Sequence, residues 1–295
     1  MLDVIVGTAP VNWNNRDVPG YRAPTPYLEM LDQMAAAGYA GTEYGEEFPR
    51  DRARVERDLT ARGLKLASMF YALDLRGDDA ARREKEIGHA VATARFLRSM
   101  GGDMLIVADS GDARRQAVAG RVDESVALDA ASWRRMVEGF VELARRCAAH
   151  GVRVTLHNHV GTYVETEEEL ARVLDATDPD LLGLCYDIGH MAYAGGDVQR
   201  VVDRYGPRIR YVHRKDVDQS VLAESKREGL SFAGALQRGI FPELGAGMVD
   251  FPRFLAALDA LDYAGWLIVE QDTTMKTPLE SARLNREYLR ATFGL

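Results

Sequence analysis

The stretch ASWRRMVEGFVELARRCAAHG, Ala131 to Gly151, runs without interruption into VRVTLHNHVGT, Val152 to Thr162. The first part has helical periodicity and closes on a glycine, which accepts the left-handed conformation of a helix C-cap. The second part begins as an apolar strand and ends in two of the chain's six histidines, with one asparagine between them. Successive side chains of a strand point to opposite faces. Val152, Val154 and Leu156 therefore share one face, and Thr155, His157 and His159 share the other.

This unit recurs in both directions. Upstream lie the strand DVIVGT, the helix TPYLEMLDQMAAAGY with Leu28, Leu31, Met34 and Ala35 at helical spacing, then GTEYG, RARVERDLTARG, LKLASMFY, ARREKEIGHAVATARFLRSMG and DMLIVAD. Downstream follow TEEELARVLDAT, LLGLCYDIGH, DVQRVVDRYG, IRYVHRKD, DFPRFLAALDALDYAG, WLIVEQD and the closing helix SARLNREYLRATF. Gly38, Gly63, Gly101, Gly151 and Gly265 are expected helix C-caps. Eight strands alternating with helices over 295 residues predict an α/β fold, a (β/α)8 (TIM) barrel occupying residues 1–295 as one domain. A doubly wound open sheet is the competing architecture, but no Gly-x-Gly-x-x-Gly follows the first strand. Between Val217 and Met248 the chain exceeds the roughly 2–6 residues of a plain strand-to-helix loop. SVLAESKREG and SFAGALQRGI read there as two short helices after strand 7, forming a helical lid or a subunit contact.

Composition narrows the function. A formal charge of −8 and a pI near 5.4 argue against a nucleic-acid surface. No apolar run approaches the roughly 20 residues that cross a bilayer, and MLDVIVGTAP lacks a basic n-region and a long h-region. Two cysteines, Cys147 and Cys185, form no disulfide framework and are expected as buried spectators in a reducing compartment, so the protein is expected in the cytoplasm. RREKE and TEEEL read as solvated helix faces.

Barrels carry chemistry at the carboxyl ends of their strands. The pleat places Leu182, Leu184 and Tyr186 toward the helices and Asp187 inward. It turns Val212 outward, with Tyr211, His213 and Lys215 inward, and Leu267 and Val269 outward, with Trp266, Ile268 and Glu270 inward. Four adjacent strands thus bring His157 or His159, Asp187, His213 and Glu270 to one rim. Carboxylates and imidazoles in that arrangement suit one divalent metal ion: Mn²⁺ or Co²⁺ foremost, then Zn²⁺ or Mg²⁺.

YDIGH, VHRKD and IVEQD, each at a late strand end, resemble the xylose-isomerase-like barrels of the sugar isomerase/epimerase superfamily, which includes endonuclease IV. GTAPVNW, GTEYGEEFP, HNHVGTYVET, VHRKDV running through EGLSFAGALQRGIF, and VDF resemble the inosose (2-keto-myo-inositol) dehydratases in particular. The resemblance implies one catalytic divalent ion with Asp187, His213 and Glu270 as ligands, and His190 as a substrate-contacting histidine. Many relatives carry glutamate at the end of the fifth strand. Here Thr155, His157 and His159 face inward there, with Glu165 in the loop beyond, and His157 is assigned the ligand role. In ELGAGMVDF, Ala246 stands where those dehydratases carry an acidic residue, which predicts one substrate hydroxyl without its partner.

The implied reaction is metal-dependent β-elimination of water from 2-keto-myo-inositol or a related small polyhydroxylated keto compound. Lys215 and His190 are the candidates for proton transfer, with His159 in reserve. An ammonium beside a cation is pushed toward its neutral form, which would make Lys215 a base; its alternative is an ion pair with Asp216 or Glu243. Glu43 is expected to bind a substrate hydroxyl or to brace the metal ligands, and Asn12 and Trp13 to shape the pocket or pack within their loop. The competing functions are an isomerase or epimerase of a ketose or inosose, a DNA-repair phosphodiesterase, and a non-catalytic binding barrel. The phosphodiesterase needs a trinuclear site with further histidines, whereas His89 and His150 lie inside helical patterns. A homodimer or homotetramer is the expected assembly.

Overall fold

The computed structural model of the protein describes residues 2–295. Eight parallel strands close into a barrel in chain order: β1 (Asp3–Thr8), β2 (Gly41–Tyr44), β3 (Lys65–Leu73), β4 (Met104–Asp109), β5 (Arg153–His157), β6 (Leu182–Asp187), β7 (Ile209–Arg214) and β8 (Ala264–Val269). The helices are α1 (Tyr27–Ala37), α2 (Arg52–Thr60), α3 (Ala80–Ser99), α4 (Ala113–Ala117), α5 (Ala130–Ala148), α6 (Glu167–Asp175), α7 (Ile188–Ala194), α8 (Val198–Tyr205), α9 (Gln219–Glu228), α10 (Phe232–Gln237), α11 (Phe251–Ala260) and α12 (Pro278–Phe293). Asp3–Thr8 pairs residue for residue with Ala264–Val269, and this contact shuts the barrel. Among the described residues no helix is long and apolar enough to cross a membrane.

The pleat arithmetic holds on the strands that build the rim. Val152, Val154, Leu156, Leu182, Leu184, Tyr186, Val212, Leu267 and Val269 lie in the core between strands and helices. Cys185, Tyr211 and Ile268 lie inside the barrel with Met104 and Ile106. Trp266 reaches the floor because Gly7 and Gly41 have no side chains there: a Cβ on Gly41 would stand 2.5 Å from the indole.

Helix starts are fixed largely by aspartate. Asp51, Asp79, Asp129, Asp187, Asp197, Asp218 and Asp250 accept a backbone N–H of the first turn, and Thr166 and Thr277 form capping boxes with Glu169 and Glu280. Gly38 caps α1 in the left-handed conformation as expected. Gly265 does not cap a helix; it lies inside β8, and the left-handed residue after α11 is Asp262, with φ 50°. The two helices expected after strand 7 are α9 and α10. The helix α7 was not anticipated, because YDIGH leaves β6 and turns helical within one residue.

Candidate active site

Each inward side chain at the carboxyl rim arrives on a different strand end. Glu43 lies within β2 where its register with β3 shifts, His157 ends β5, Asp187 ends β6, His213 lies near the end of β7, and Glu270 follows β8. Lys215 and Asp272 stand two residues beyond His213 and Glu270 and lie on the same faces. His159 comes from the loop after β5, and His190 from the first turn of α7, where its N–H donates to the Asp187 carboxylate at 2.8 Å. The structure therefore brings together Glu43, His157, His159, Asp187, His190, His213, Lys215 and Glu270.

His213 is the centre of this group. Its Nε2 is 3.0 Å from Glu43 Oε1, and its Nδ1 is 3.3 Å from Glu270 Oε2 and 3.9 Å from Asp187 Oδ2. Glu43 is itself held by Ser68 Oγ at 2.9 Å and Tyr211 Oη at 3.0 Å. It orients the imidazole from below and also lines the cavity. Lys215 Nζ contacts Glu270 Oε2 and lies 3.1 Å from Asp187 Oδ2 and 3.5 Å from Asp272 Oδ1. Neither expected alternative partner of Lys215 takes part. Asp216 accepts the N–H groups of Val217, Gly245, Gly247 and Val249, and Glu243 accepts from Thr274 and Lys276.

Burial and neighbouring charge set the protonation. Burial, reinforced by nearby His213 and His159, holds His157 well below the ordinary histidine value, and burial with His159 and Lys215 does the same to His190. Both imidazoles are neutral and present lone pairs. His159 is lowered chiefly by burial, and its Nδ1 meets the Val160 carbonyl at 2.6 Å, which places the proton there and leaves Nε2 as an acceptor. Burial opposes the charge on Lys215, yet Asp187, Asp272 and Glu270 hold its pKa well above the ordinary lysine value. With these carboxylates around it Lys215 is an ammonium; the base role expected of it belongs to the arrangement with a cation beside it.

The donor set fits a divalent ion. Ligand atoms of Glu43, His213 and Glu270 lie within 4.8 Å of one another, as do those of His157, Cys185 and His213. His213 Nδ1 is buried without a hydrogen-bond partner. The buried acidic side chains of Glu43, Asp187, Glu270 and Asp272 converge on the same place as these imidazoles, a set of oxygen and nitrogen donors that suits a divalent cation.

Two expected pocket residues stand elsewhere. Trp13 is 1% exposed and donates Nε1–H to Gln33 Oε1 at 2.8 Å within the outer core, so it does not reach the cavity. Asn12 bridges β1 to β8, donating to Thr8 Oγ1 and the Val269 carbonyl and accepting from Gln271 N–H. Ala246 is exposed on the segment before α11 and does not line the cavity. Glu165 is also remote from the metal candidates. It accepts the N–H groups of Gly120 at 2.6 Å and Gly161 at 2.7 Å, 3.7 Å from Arg115.

Several functional residues escaped sequence reasoning. Phe70, 41% exposed, forms an apolar wall of the cavity, edge-on to His157 at 5.8 Å. It lies two residues beyond inward-facing Ser68, so the pleat of β3 could have found it. Asp272 stands in the quoted IVEQD and shares the face of Glu270. Asn158, the residue between the two histidines, points away from them. Its amide donates to the Asp187 carbonyl at 2.9 Å and accepts Asp187 N–H at 3.0 Å, locking the ends of β5 and β6 together. Cys147 is a spectator as expected, but Cys185 is in contact with His157, Sγ lying 3.8 Å from Nδ1. The cavity over these groups measures about 280 Å³. On its far side Phe232 and Phe241 of the segment after β7 pack against His190 at 5.8 and 5.5 Å.

Glu165 gives a stability prediction. Burial pushes its carboxyl up to about 7, although the N–H groups of Gly161 and Gly120 and the Arg115 charge pull the other way. With the folded pKa above the unfolded one, the folded chain binds more protons between them. Its contribution is complete below about pH 4.5 and lost as pH rises through about 7, up to about 3 kcal/mol. Urea unfolding at pH 5 and pH 8 should show this decline, and Glu165→Gln should flatten it. Equal slopes in the two proteins would refute the assignment.

The description "Xylose isomerase-like TIM barrel" belongs to a family profile that matches residues 31–292. An inosose dehydratase of Geobacillus thermodenitrificans is 33% identical over 296 residues, covering 99% of this chain and 98% of that protein. The rhizopine catabolism protein MocC of Rhizobium meliloti is 36% identical over 98% of this chain and 88% of its own length. Among solved structures, the IOLI protein with a bound zinc atom superposes with a TM-score of 0.73 over 98% of this chain and 97% of its own, at 14% identity, a likeness of fold. The strand order, the rim and the full-length similarity agree: the chain belongs to the xylose isomerase-like TIM barrel family and is similar over its full length to inosose dehydratases.

Proposed function

We propose that this enzyme eliminates water from 2-keto-myo-inositol or a closely related keto-cyclitol through an enediolate, with one divalent ion, Mn²⁺ or Co²⁺, held by His157, Asp187, His213 and Glu270. The observation that carries the reading is an acid and a base sharing one buried oxygen: Asp187 Oδ2 lies 3.1 Å from the ammonium of Lys215 and 3.9 Å from Nε2 of neutral His190. Elimination needs both at once. A lone pair must accept the proton from the carbon beside the carbonyl, and an acid must accompany the departing hydroxide.

When bound, the divalent ion supplies electrostatic stabilisation of negative charge developing on the substrate oxygens. His190, whose ring nitrogens have no other partner and whose ring lies 3.9 Å from that of cavity-lining His159, would take the C–H proton. Lys215 is positioned to give its Nζ proton to the leaving hydroxide, which departs as water. His159 Nε2 is the second acceptor at the same rim. Phe70 offers an apolar face to the ring of the substrate, while Phe232 and Phe241, on the lid formed by α9, α10 and the turn after them, keep water from the proton-transfer groups. Two buried free cysteines suit a reducing, cytoplasmic location.

Metal-depleted protein restored with Mn²⁺ should convert 2-keto-myo-inositol to an unsaturated product that tautomerises to a dione, followed by absorbance and mass spectrometry. Chelator should abolish turnover, and elemental analysis should find one divalent ion per active chain. Deuterium uptake from D₂O without loss of water, for every keto-cyclitol tried, would leave the isomerase or epimerase reading in its place. On the fifth strand, His157→Ala should lower metal occupancy, whereas His159→Ala should keep occupancy and depress turnover. The reverse pattern would exchange their roles.

A further inference from the structure

Lys215 and His213 crowd the same two carboxylate oxygens. Glu270 Oε2 touches Lys215 Nζ and lies 3.3 Å from His213 Nδ1, while Asp187 Oδ2 lies 3.1 Å from Nζ and 3.9 Å from Nδ1. A divalent ion ligated by Asp187, His213 and Glu270 would compete with the ammonium for those oxygens. The ammonium cannot escape to solvent, because Lys215 is 2% exposed and the Phe241 ring lies 5.9 Å from Nζ. Of the three carboxylates around Nζ, only Asp272, at 3.5 Å, is outside the ligand set. Its backbone is pinned by Asn15 Nδ2, which donates to the Asp272 carbonyl at 2.8 Å, so it cannot drift away.

We infer that Asp272 is the positioning residue that receives the Lys215 ammonium when a divalent cation takes Asp187 and Glu270. The inference rests on the reading of this rim as a metal centre. Two cations confined to the same pair of carboxylates repel strongly where the surroundings are apolar. Asp272 offers the displaced ammonium a counter-charge without exposing it, and so couples cation loading to the placement of the proton donor.

The coupling is measurable without substrate. Metal-free wild type, Asp272→Asn, Lys215→Met and the double variant are titrated with Mn²⁺ by calorimetry, with circular dichroism confirming that each is folded. Asp272→Asn should weaken Mn²⁺ affinity on the order of ten- to a hundredfold although Asp272 is not a ligand, and Asp272→Glu should restore most of it. Lys215→Met should bind Mn²⁺ more tightly, on the order of tenfold, since no resident cation is displaced. In the Lys215→Met background, Asp272→Asn should cost little, because there is no ammonium left to receive. An equal loss in both backgrounds would make Asp272 a ligand or a general attractor of cations and overturn the inference, while leaving the metal centre standing. Wild type that binds no Mn²⁺ would overturn the metal centre, and this inference with it.

Discussion

Lys215→Met should lower kcat on the order of 10³-fold or more while the protein still takes up its divalent ion. Methionine reproduces the length and apolar stem of the lysine but offers no proton and no charge. The Lys215 ammonium lies 3.1 Å from Asp187 Oδ2 and is the acid of the proposed elimination, since burial holds the His190 imidazole neutral. The same substitution removes the ammonium that Asp187, Glu270 and Asp272 surround. Metal-free Lys215→Met should therefore melt well below metal-free wild type, and Mn²⁺ should recover most of the difference. Steady-state kinetics, elemental analysis and thermal unfolding with and without Mn²⁺ test all three statements. A variant keeping more than about a tenth of wild-type turnover would remove Lys215 from the proton-transfer role, since acid–base catalysis is worth at least about a hundredfold.

Asp216→Ala should cause the largest loss of stability from a single site outside the hydrophobic core, about 3–5 kcal/mol. The fully buried Asp216 carboxylate accepts four backbone N–H groups: Val217 at 2.9 Å, Gly245 at 2.9 Å, Gly247 at 2.8 Å and Val249 at 3.0 Å. These bind the two ends of the excursion that carries α9 and α10 back onto β7. Hydrogen bonds to a charged acceptor are stronger than neutral ones, and donors orphaned in a buried place cost about 1–3 kcal/mol each, less than additively. No alanine can replace them. The loss should appear first as hydrogen exchange and proteolysis between residues 217 and 249, then as a lower unfolding midpoint. Turnover should fall with it as Phe232 and Phe241 leave the histidines. A change below about 1 kcal/mol with an intact lid segment would contradict this account.

Much of this site was legible because a strand has a fixed period. Once the eight apolar runs are placed, alternation alone puts His157, His213, Lys215 and Glu270 on the inner face, and the structure has them there. Asp187 was found the same way, but its second role as the cap of α7 was not, because capping depends on where the chain turns after the strand. The loops after strands have no period to read. Trp13 and Asn12 were assigned to the cavity from proximity in sequence, yet one is drawn into the outer core by its apolar surface and the other is spent on hydrogen bonds between β1 and β8. Ala246 was read as standing at the place of an acidic substrate contact, although its side chain lies out on the segment before α11. The surroundings of Lys215 were legible only in part: Asp187 and Glu270 were placed beside it by the pleat, whereas Asp272 was not singled out, and its distance from Nζ is set by the closure of the barrel.

That closure also orders events in time. Residues Asp3–Thr8 pair with β2 at Thr8 and Thr42, but residue for residue with Ala264–Val269, and the Thr8 hydroxyl donates to the Val269 carbonyl across 261 positions of chain. At roughly 5–20 residues per second of synthesis, the first strand waits about 10–50 s for the last. Until then the nascent sheet has two open edges, β1 and β7, each able to pair with a neighbouring chain. The rim during that interval holds Glu43, Asp187, His213 and Lys215 but neither Glu270 nor Asp272, so two of its four acidic side chains are still missing. The set that would hold a cation is completed by the final strand. A chain arrested before residue 264 should therefore be unable to hold the metal, and loading should follow release of the finished chain from the ribosome.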